Sequence, residues 1–201
     1  AWYNREVQKY DSITIHMNTE VKDIASLGAD EVVVATGSVA NRIPIPGVEN
    51  AVQAVDFLLD NSIVGDNVTI IGGGLTGCEI AYELYLQGKN PTIVEMQDDL
   101  ITTPGVALAN TSFLRDFFKT KNVPVYLEAK TTAINDDSVT IMTKDGKTET
   151  IPADSVILSV GYKPAPIVEK AGKHVHIVGD ASKVGNLRTV IWQAWDVAMK
   201  L

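Results

Sequence analysis

The glycine turn at residues 72–77 is the part of the sequence whose chemistry is easiest to infer. Residues 68–95 read VTIIGGGLTGCEIAYELYLQGKNPTIVE. Gly72 permits a tight turn, Gly74 lets a pyrophosphate approach the backbone, and Gly77 lets the following helix pack closely on the sheet. The N–H groups and dipole at the start of that helix favour an anion. The pattern predicts a dinucleotide rather than an ordinary turn without ligand, and the predicted binding residues are Gly72, Gly73, Gly74, Leu75, Thr76 and Gly77.

Glu95 predicts which dinucleotide binds. It ends the strand that follows the helix, where a carboxylate accepts hydrogen bonds from the adenosine ribose hydroxyls. A 2′-phosphate would be repelled there, and the residues after Glu95, MQDD, contain no Arg or Lys to neutralise it. We therefore expect NADH to bind in preference to NADPH.

Four other side chains in the C-terminal part have a chemical and a structural interpretation. His174 and His176 are two apart on a predicted strand and share a face. We expect exposed edge-strand histidines rather than metal ligands, because no third ligand is near in sequence, and no metal site is predicted. Trp192 and Trp195 share a face of the last helix, where core packing is the expectation. The alternative is that they cover a surface that meets a missing flavin half or a partner subunit.

The elements that must position the turn alternate between strand and helix from Asn67 onward. Strands VTIIGGG, PTIVEM and VPVYLE are separated by helices TGCEIAYELYLQG and ALANTSFLRDFFKTK, which predicts a parallel sheet with right-handed crossovers. TTAIND, SVTIMTK and KTETIP then alternate with a period near two, and Asp145-Gly146 is a hairpin signal. These segments predict an antiparallel meander attached to the sheet, before a further buried strand, DSVILSVG.

Two flanking regions are separated from this unit by proline-rich crossings. The crossings are RIPIPGVENAV and YKPAPIV, whose prolines exclude a helix and a central strand. Before the first crossing we expect the end of a helix at AWYNREVQKY, a strand at ITIHMN and a buried strand at DEVVVATGS. After the second we expect a strand at HVHIVGD and a helix at LRTVIWQAWDVAMKL.

The composition narrows the function classes. The chain has 201 residues, a formal net charge of -8 and no run of Lys or Arg, which argues against nucleic acid and against an anionic membrane surface. The single cysteine, Cys78, excludes a disulfide framework and is expected to be a small core residue, so electrons must pass through organic cofactors. No apolar run reaches the length of a membrane span, and the N-terminus is unlike a signal peptide, so a cytoplasmic location is expected.

The order of four motifs resembles a known superfamily. VVVATGS with IPIPG, IIGGGLTGCE with IVE, ILSVGYKP, and HIVGDAS are together similar to the pyridine nucleotide-disulfide oxidoreductase-like flavoproteins, in which an NAD(P)H domain is inserted into an FAD domain. The two ends of the chain look most like the C-terminal part of the NADH:flavin oxidoreductases, the 2-enoate and 2,4-dienoyl-CoA reductase group.

This resemblance implies further site residues. Thr36 and Gly37 would lie by FAD, Gly179 and Asp180 would hold its ribityl chain, and N–H groups from Asn186 to Thr189 would face the flavin ring. Gly161 would border the nicotinamide nucleotide. Glu79, expected on the inner face of the helix, matches the family's catalytic position beside the nicotinamide carboxamide.

The resemblance also implies a fold and a domain order. The fold class is α/β: a Rossmann-like parallel sheet with an antiparallel meander, which forms an NAD(H) domain, inserted into an incomplete FAD-binding α/β domain. The expected boundaries are 1–62 for the first FAD segment, 63–166 for the NAD(H) domain and 167–201 for the last FAD segment. The family's strand, glycine turn and helix for the ADP half of FAD have no counterpart here. Neither has its N-terminal barrel, which carries FMN and an iron-sulfur cluster, so the chain is expected to be a fragment that is inactive alone.

Three functions stay open from the sequence. The first is the NADH-binding part of a flavin oxidoreductase that passes hydride from NADH to FAD and serves reduction of an activated C=C bond. The second is a stand-alone ferredoxin-type reductase, and the third is an NADH-sensing module without turnover. The expected partner is the missing flavin and barrel region, with a homo-oligomer left open; nucleic acid and membrane are not expected partners.

Overall fold

A computed structural model describes residues 2–60 and 64–201. In these residues the α-helices are α1 (Trp2–Val7), α2 (Ala54–Asp60), α3 (Leu75–Leu86), α4 (Leu108–Lys121) and α5 (Leu187–Ala198). The strands are β1 (Val32–Val34), β2 (Ser38–Ala40), β3 (Val52–Gln53), β4 (Asn67–Ile71), β5 (Asn90–Val94), β6 (Val125–Tyr126), β7 (Lys130–Ile134), β8 (Ser138–Met142), β9 (Thr148–Pro152), β10 (Ser155–Leu158), β11 (Tyr162–Pro164) and β12 (Val175–Ile177). Short 3-10 helices are formed by Ile24–Leu27, Val48–Asn50 and Gly179–Ala181.

The chain divides into two compact units. Unit 1 consists of Ala1–Gly37 with Ala165–Leu201, and unit 2 consists of Ser38–Pro164. The expected boundary at 166 stays a prediction, and the compact units divide at Pro164 and Ala165. The expected boundary at 62/63 falls outside the described residues. Unit 2 begins at Ser38, well before residue 63, because strand β2 near its start pairs with strand β11 near its end. Which cofactor each segment serves stays a prediction.

Unit 2 is built on a parallel sheet with the strand order β3-β10-β4-β5-β6. The antiparallel meander β7-β8-β9 is a separate sheet, and its second hairpin turns at Gly146, where φ is 79°. The predicted α/β class, with a parallel sheet and an antiparallel meander, is confirmed.

Alternation along the strands divides the core of unit 2 into two layers. Val68 and Ile70 of β4 pack with Cys78, Ala81 and Leu84 of α3 on one face of the sheet. On the other face Ile71 of β4 packs with side chains of the meander, which include Ala129, Ile134, Val139, Ile141 and Ile151. A parallel strand covered on both faces requires a continuous apolar run, and VTII supplies one.

Helix α4 is held against α3 by aromatic side chains. Tyr82 of α3 meets Phe113 and Phe117 of α4 edge-on, with centroid distances of 5.6 and 4.7 Å. Phe118 and Leu114 are buried in the same layer. This packing fixes α4 beside the segment that follows β5, which matters for the site described below.

Unit 1 has few buried side chains. Strands β1 and β12 form a two-stranded parallel sheet in which Val34 pairs with Ile177. Among the described apolar residues of unit 1, those that are buried are Val34, Val178 and Ala181. Helices α1 and α5 contain no buried residue.

Two expectations for unit 1 are wrong. Residues 13–18, ITIHMN, are not a strand, because no neighbouring strand in the described residues pairs with them, and Ile13, Ile15 and Met17 are exposed. Trp192 and Trp195 do not pack in a core, since they are 63% and 62% exposed.

Among the described residues, none of the helices has the length and apolar character that crossing a membrane requires.

Candidate dinucleotide site

The carboxyl ends of three neighbouring strands bring the predicted nucleotide residues of unit 2 to one edge of the sheet. Gly72 follows β4, Glu95 follows β5 and Gly161 lies shortly after β10. Strands β10, β4 and β5 are adjacent and parallel, with Ile71 paired to both Leu158 and Val94. In open α/β sheets this edge is where ligands bind.

Two glycines of the turn are required by the fold. Gly72 has a φ of 109°, and a Cβ there would overlap the carbonyl oxygen of Ser159. A Cβ at Gly77 would overlap the carbonyl oxygen of Gly72. Gly72 therefore makes the turn from β4 into α3 where the chain passes close to Ser159, and Gly77 lets α3 start directly against that turn.

Gly74 has no such reason to be glycine. Its φ of -68° and ψ of 179° suit any L-residue, and a Cβ there would meet nothing within 4 Å. It is also the N-cap of α3, and without a side chain it leaves the first-turn N–H groups uncapped. The space in front of Gly74 is therefore open toward a helix N-terminus, which is the environment that a pyrophosphate requires.

Glu95 is held in place by backbone donors. Its Oε2 accepts a hydrogen bond from Gly73 N–H at 2.6 Å, and its Oε1 accepts one from Gln97 N–H at 2.7 Å. A carboxylate has about four lone-pair sites, so both oxygens can still accept a ribose hydroxyl. The carboxylate is thus oriented beside the glycine turn before a ligand arrives.

The segment after Glu95 is held by hydrogen bonds to the glycine turn and to α4. Ile101 N–H donates to the Gly73 carbonyl at 2.8 Å, and Ile101 has a φ of 52°, which is strained for a β-branched residue. Arg115 of α4 donates from Nε to Asp99 at 2.9 Å and from its terminal nitrogen to the Leu100 carbonyl. Arg115 was not among the predicted site residues, because it lies on the next helix and no local pattern in the sequence connects it to Asp99.

Cys78 lies behind the turn as a small core residue. It is fully buried, as expected, and its thiol donates to the Gly73 carbonyl at 3.4 Å. Burial is the main cause that raises the pKa of Cys78 to about 12, with the nearby charge of Glu95 adding to the rise and that of Arg115 opposing it. A buried thiol with so high a pKa stays protonated at neutral pH and is therefore a poor nucleophile.

The structure shows the surroundings of two further predicted site residues, Glu79 and Gly161. The expectation that Glu79 lies on the inner face of α3 is wrong, because that face is taken by Cys78 and Ile80 and Glu79 is exposed. Its role beside a nicotinamide stays a prediction. Gly161 has a φ of 79°, and its carbonyl accepts a hydrogen bond from Asn41 N–H at 2.9 Å.

The predicted FAD residues all lie in unit 1. Gly37 follows β1 and Gly179 follows β12, so the two parallel strands bring them to the same edge of their sheet. Thr36 donates to the Ala165 carbonyl at 2.9 Å. Asp180 accepts from Gly185 N–H at 3.0 Å, so one carboxylate oxygen already orders the loop before α5.

The start of α5 differs from the expectation. Thr189 N–H donates to the Asn186 side chain at 3.1 Å, and the Thr189 hydroxyl accepts from Asn186 N–H at 2.9 Å. This capping box uses two of the N–H groups that were expected to face a flavin. Within the described residues, the first-turn donors left for a ligand are the N–H groups of Leu187 and Arg188.

His174 and His176 share one carboxylate. His174 Nδ1 and His176 Nε2 each lie 2.8 Å from a different oxygen of Glu31, the residue before β1. These hydrogen bonds lower the pKa of Glu31, the bond from His174 being the larger cause. The described residues contain no group of three or more His, Cys, Asp or Glu side chains that could hold a metal ion.

The chain is similar to proteins whose family or activity is known. The family model described as pyridine nucleotide-disulphide oxidoreductase matches residues 2–198. The cinnamate reductase of Clostridium sporogenes is 34% identical over 97% of this chain and 31% of its own length. The NADH oxidase of Thermoanaerobacter brockii is 30% identical over 92% of this chain and 30% of its own length.

A solved structure of 2-naphthoyl-CoA reductase in complex with 2-naphthoyl-CoA has a TM-score of 0.83 and 28% identity, and it covers 100% of this chain and 31% of that chain. This chain therefore spans about three tenths of the length of the relatives that it matches.

Proposed function

The chain belongs to the pyridine nucleotide-disulphide oxidoreductase family, and on this basis we propose that it is the NADH-binding part of a flavin oxidoreductase. The family consists of oxidoreductases, so the expectation of an enzyme and the resemblance to NADH:flavin oxidoreductases are confirmed. Family membership implies FAD and NAD(P)H as cofactors. That NADH is the preferred nucleotide, and that its hydride passes to FAD, is our proposal.

One observation carries the proposal for NADH. Among the residues that the structure describes, none makes a contact that requires a glycine at position 74, and Gly74 lies at an uncapped helix N-terminus beside an oriented carboxylate. A pyrophosphate that approaches the backbone at Gly74 would explain why this position has no side chain. Glu95, held by Gly73 and Gln97, would then receive the adenosine ribose.

The residues of this chain contribute binding and orientation. Backbone N–H groups at the start of α3 hold the pyrophosphate, and Glu95 holds the ribose, so the nicotinamide end would extend along the sheet edge toward Gly161. Thr36, Gly37, Gly179 and Asp180 would hold FAD, with the N–H groups of Leu187 and Arg188 favouring negative charge at the start of α5. Hydride transfer itself is chemistry that the two cofactors supply when bound.

We assign the parent protein to reduction of an activated C=C bond. Cinnamate and 2-naphthoyl-CoA, the substrates named for two relatives, both carry an unsaturated system conjugated to a carbonyl group. In the parent, electrons would pass from FAD to an iron-sulfur cluster and then to FMN. The cluster and FMN would lie in the region outside this chain. That region is the proposed partner, and a homo-oligomer remains compatible with the proposal.

Calorimetric titration with NADH tests the binding site. The chain is compared with Gly74→Ala and with Gly172→Ala, a control glycine that also has open space around its Cβ position and no positive φ. We expect Gly74→Ala to raise the Kd for NADH at least tenfold, or about 1.4 kcal/mol, with an unchanged unfolding midpoint. Gly172→Ala should bind like the wild type. If both variants bind NADH like the wild type, the site assignment is wrong.

A further inference from the structure

The fold places a guanidinium beside the predicted adenosine end of the nucleotide site. Arg115 reaches from α4 to the segment after Glu95, where it contacts Asp99 and the Leu100 carbonyl. The Arg115 and Asp99 side chains are 30% and 53% exposed, so the pair lies at the surface and can respond to a ligand. MQDD therefore does have a cation near it, although that cation comes from another element.

Short contacts connect this pair to Glu95. Asp99 also accepts from Leu100 N–H at 2.7 Å, and Leu100 is buried against Gly73, where a Cβ would overlap it. Gly73 in turn donates to Glu95. The pKa of the Cys78 thiol behind the turn responds to the charges of Glu95, Arg115, Glu79 and Asp99, so these four groups all lie near that thiol.

An arginine at this end of a dinucleotide site has a known chemical consequence. Guanidinium binds phosphate through paired hydrogen bonds, and an arginine near the ribose is what accommodates a 2′-phosphate. An NADH site with such an arginine would lose selectivity unless the positive charge were neutralised. Asp99 holds Arg115 at Nε and supplies the opposite charge.

We propose that Asp99 is a specificity-determining residue that neutralises Arg115 and so keeps the site selective against the 2′-phosphate of NADPH. The inference rests on the proposed NADH site and deepens it: Glu95 repels the 2′-phosphate directly, and Asp99 removes the cation that would offset this repulsion. Asp99 acts through Arg115, so it is a positioning residue and contacts no reacting atom.

Two variants give effects of opposite sign. Asp99→Asn keeps an oxygen that can accept from Arg115 and Leu100 but loses the charge, so NADPH binding should tighten roughly threefold to fivefold with little change for NADH. Arg115→Gln leaves the Asp99 carboxylate without its cation, so NADPH binding should weaken and the preference for NADH should rise. The control is Asp98→Asn, which removes the same charge from an exposed neighbour. The Kd values for NADH and NADPH are measured by calorimetry on the 201-residue chain, and thermal unfolding checks each fold.

The outcomes separate the inference from the proposed function. A merely structural role for the pair would weaken both nucleotides in both variants, and this result would overturn the inference. An equal change in Asp98→Asn would also overturn it, because general charge would then be the cause. If NADH binds as proposed and the NADH-to-NADPH preference is the same in all variants, only the inference fails. If the folded wild type binds neither nucleotide, the proposed function fails with it.

Discussion

The two units of this chain bury apolar side chains to very different degrees. Unit 2 has a parallel sheet covered on one face by helices and on the other by a meander, with apolar core residues on both faces. In the described part of unit 1, the buried apolar side chains are Val34, Val178 and Ala181, and α5 presents Trp192 and Trp195 to solvent. The predicted nucleotide site of unit 2 therefore lies beside a well-packed core, whereas the predicted FAD residues of unit 1 lie in a unit with few buried side chains.

The largest expected effect follows from this contrast. FAD affinity depends on a pyrophosphate bound at a helix N-terminus, and the described residues of unit 1 contain no βαβ unit like that of residues 67–94. We expect the 201-residue chain to bind NADH but to purify without stoichiometric FAD, and to oxidise NADH far below a typical enzyme rate of about 10 per second. Absorbance at flavin wavelengths and a turnover assay with a soluble acceptor measure both.

A longer parent chain is the control for that prediction, because it should regain flavin and turnover together. A short chain with a full complement of FAD and normal turnover would show that unit 1 is more complete than its packing indicates. NADH binding without flavin in the parent as well would favour the sensing module over the enzyme.

Matched glycine substitutions sharpen the comparison of the two units. Gly72→Ala adds both backbone strain and an overlap with Ser159, so we expect it to destabilise unit 2 by about 3 kcal/mol. Gly37→Ala in unit 1 has a positive φ of 77° but nothing within 4 Å, so the expected cost is only about 1 kcal/mol of strain. Denaturant unfolding followed by circular dichroism gives both values. Equal costs would mean that the turn at Gly72 is less tightly packed than described.

Nucleotide preference has a smaller expected effect. Glu95 is fixed by two backbone donors and cannot swing away from a 2′-phosphate without losing them. We expect NADH to bind at least tenfold more tightly than NADPH, or about 1.4 kcal/mol. Competition titrations at fixed ionic strength measure the ratio, and equal or tighter binding of NADPH would contradict the role of Glu95.

The smallest expected effect lies in unit 1, where Glu31 accepts hydrogen bonds from two histidines. Because its pKa is lowered in the folded chain, its stabilising contribution is present above the ordinary carboxyl pKa and is lost as pH falls through the lowered value. Glu31→Gln should therefore flatten the acid side of the curve of unfolding temperature against pH. Glu169→Gln, an exposed carboxylate of the same unit, is the control and should leave that curve unchanged.

Local patterns explain which parts of the fold the sequence could predict. The strand, glycine turn and helix at residues 67–86 are encoded by β-branched runs, glycine spacing and helical periodicity, all within a short window. The parallel order of β4, β5 and β10 follows from this alternation, and it brings Gly72, Glu95 and Gly161 together. The position of these residues at one edge of the sheet could therefore be predicted from the sequence, and their binding of a nucleotide stays a prediction.

Long-range contacts explain what was missed. Arg115 meets Asp99 only because aromatic packing fixes α4 against α3, and Glu31 meets its histidines only through the register of β1 against β12. ITIHMN has the alternation of a strand, but strand formation needs a neighbour for its backbone groups. The capping box at Asn186 and Thr189 also uses N–H groups that, from the family resemblance, were predicted to face a flavin.

The burial of Cys78 makes the chain suited to chemical labelling. At pH 8 a thiol with a pKa of about 12 is roughly one part in ten thousand thiolate, and the folded turn also shields it from reagents. Alkylation should therefore proceed only when α3 and the glycine turn separate, and since the chain has one cysteine, every labelled molecule reports that event. A mass-spectrometric time course of alkylation thus measures how often the nucleotide turn opens, and a ligand bound across the turn should slow it.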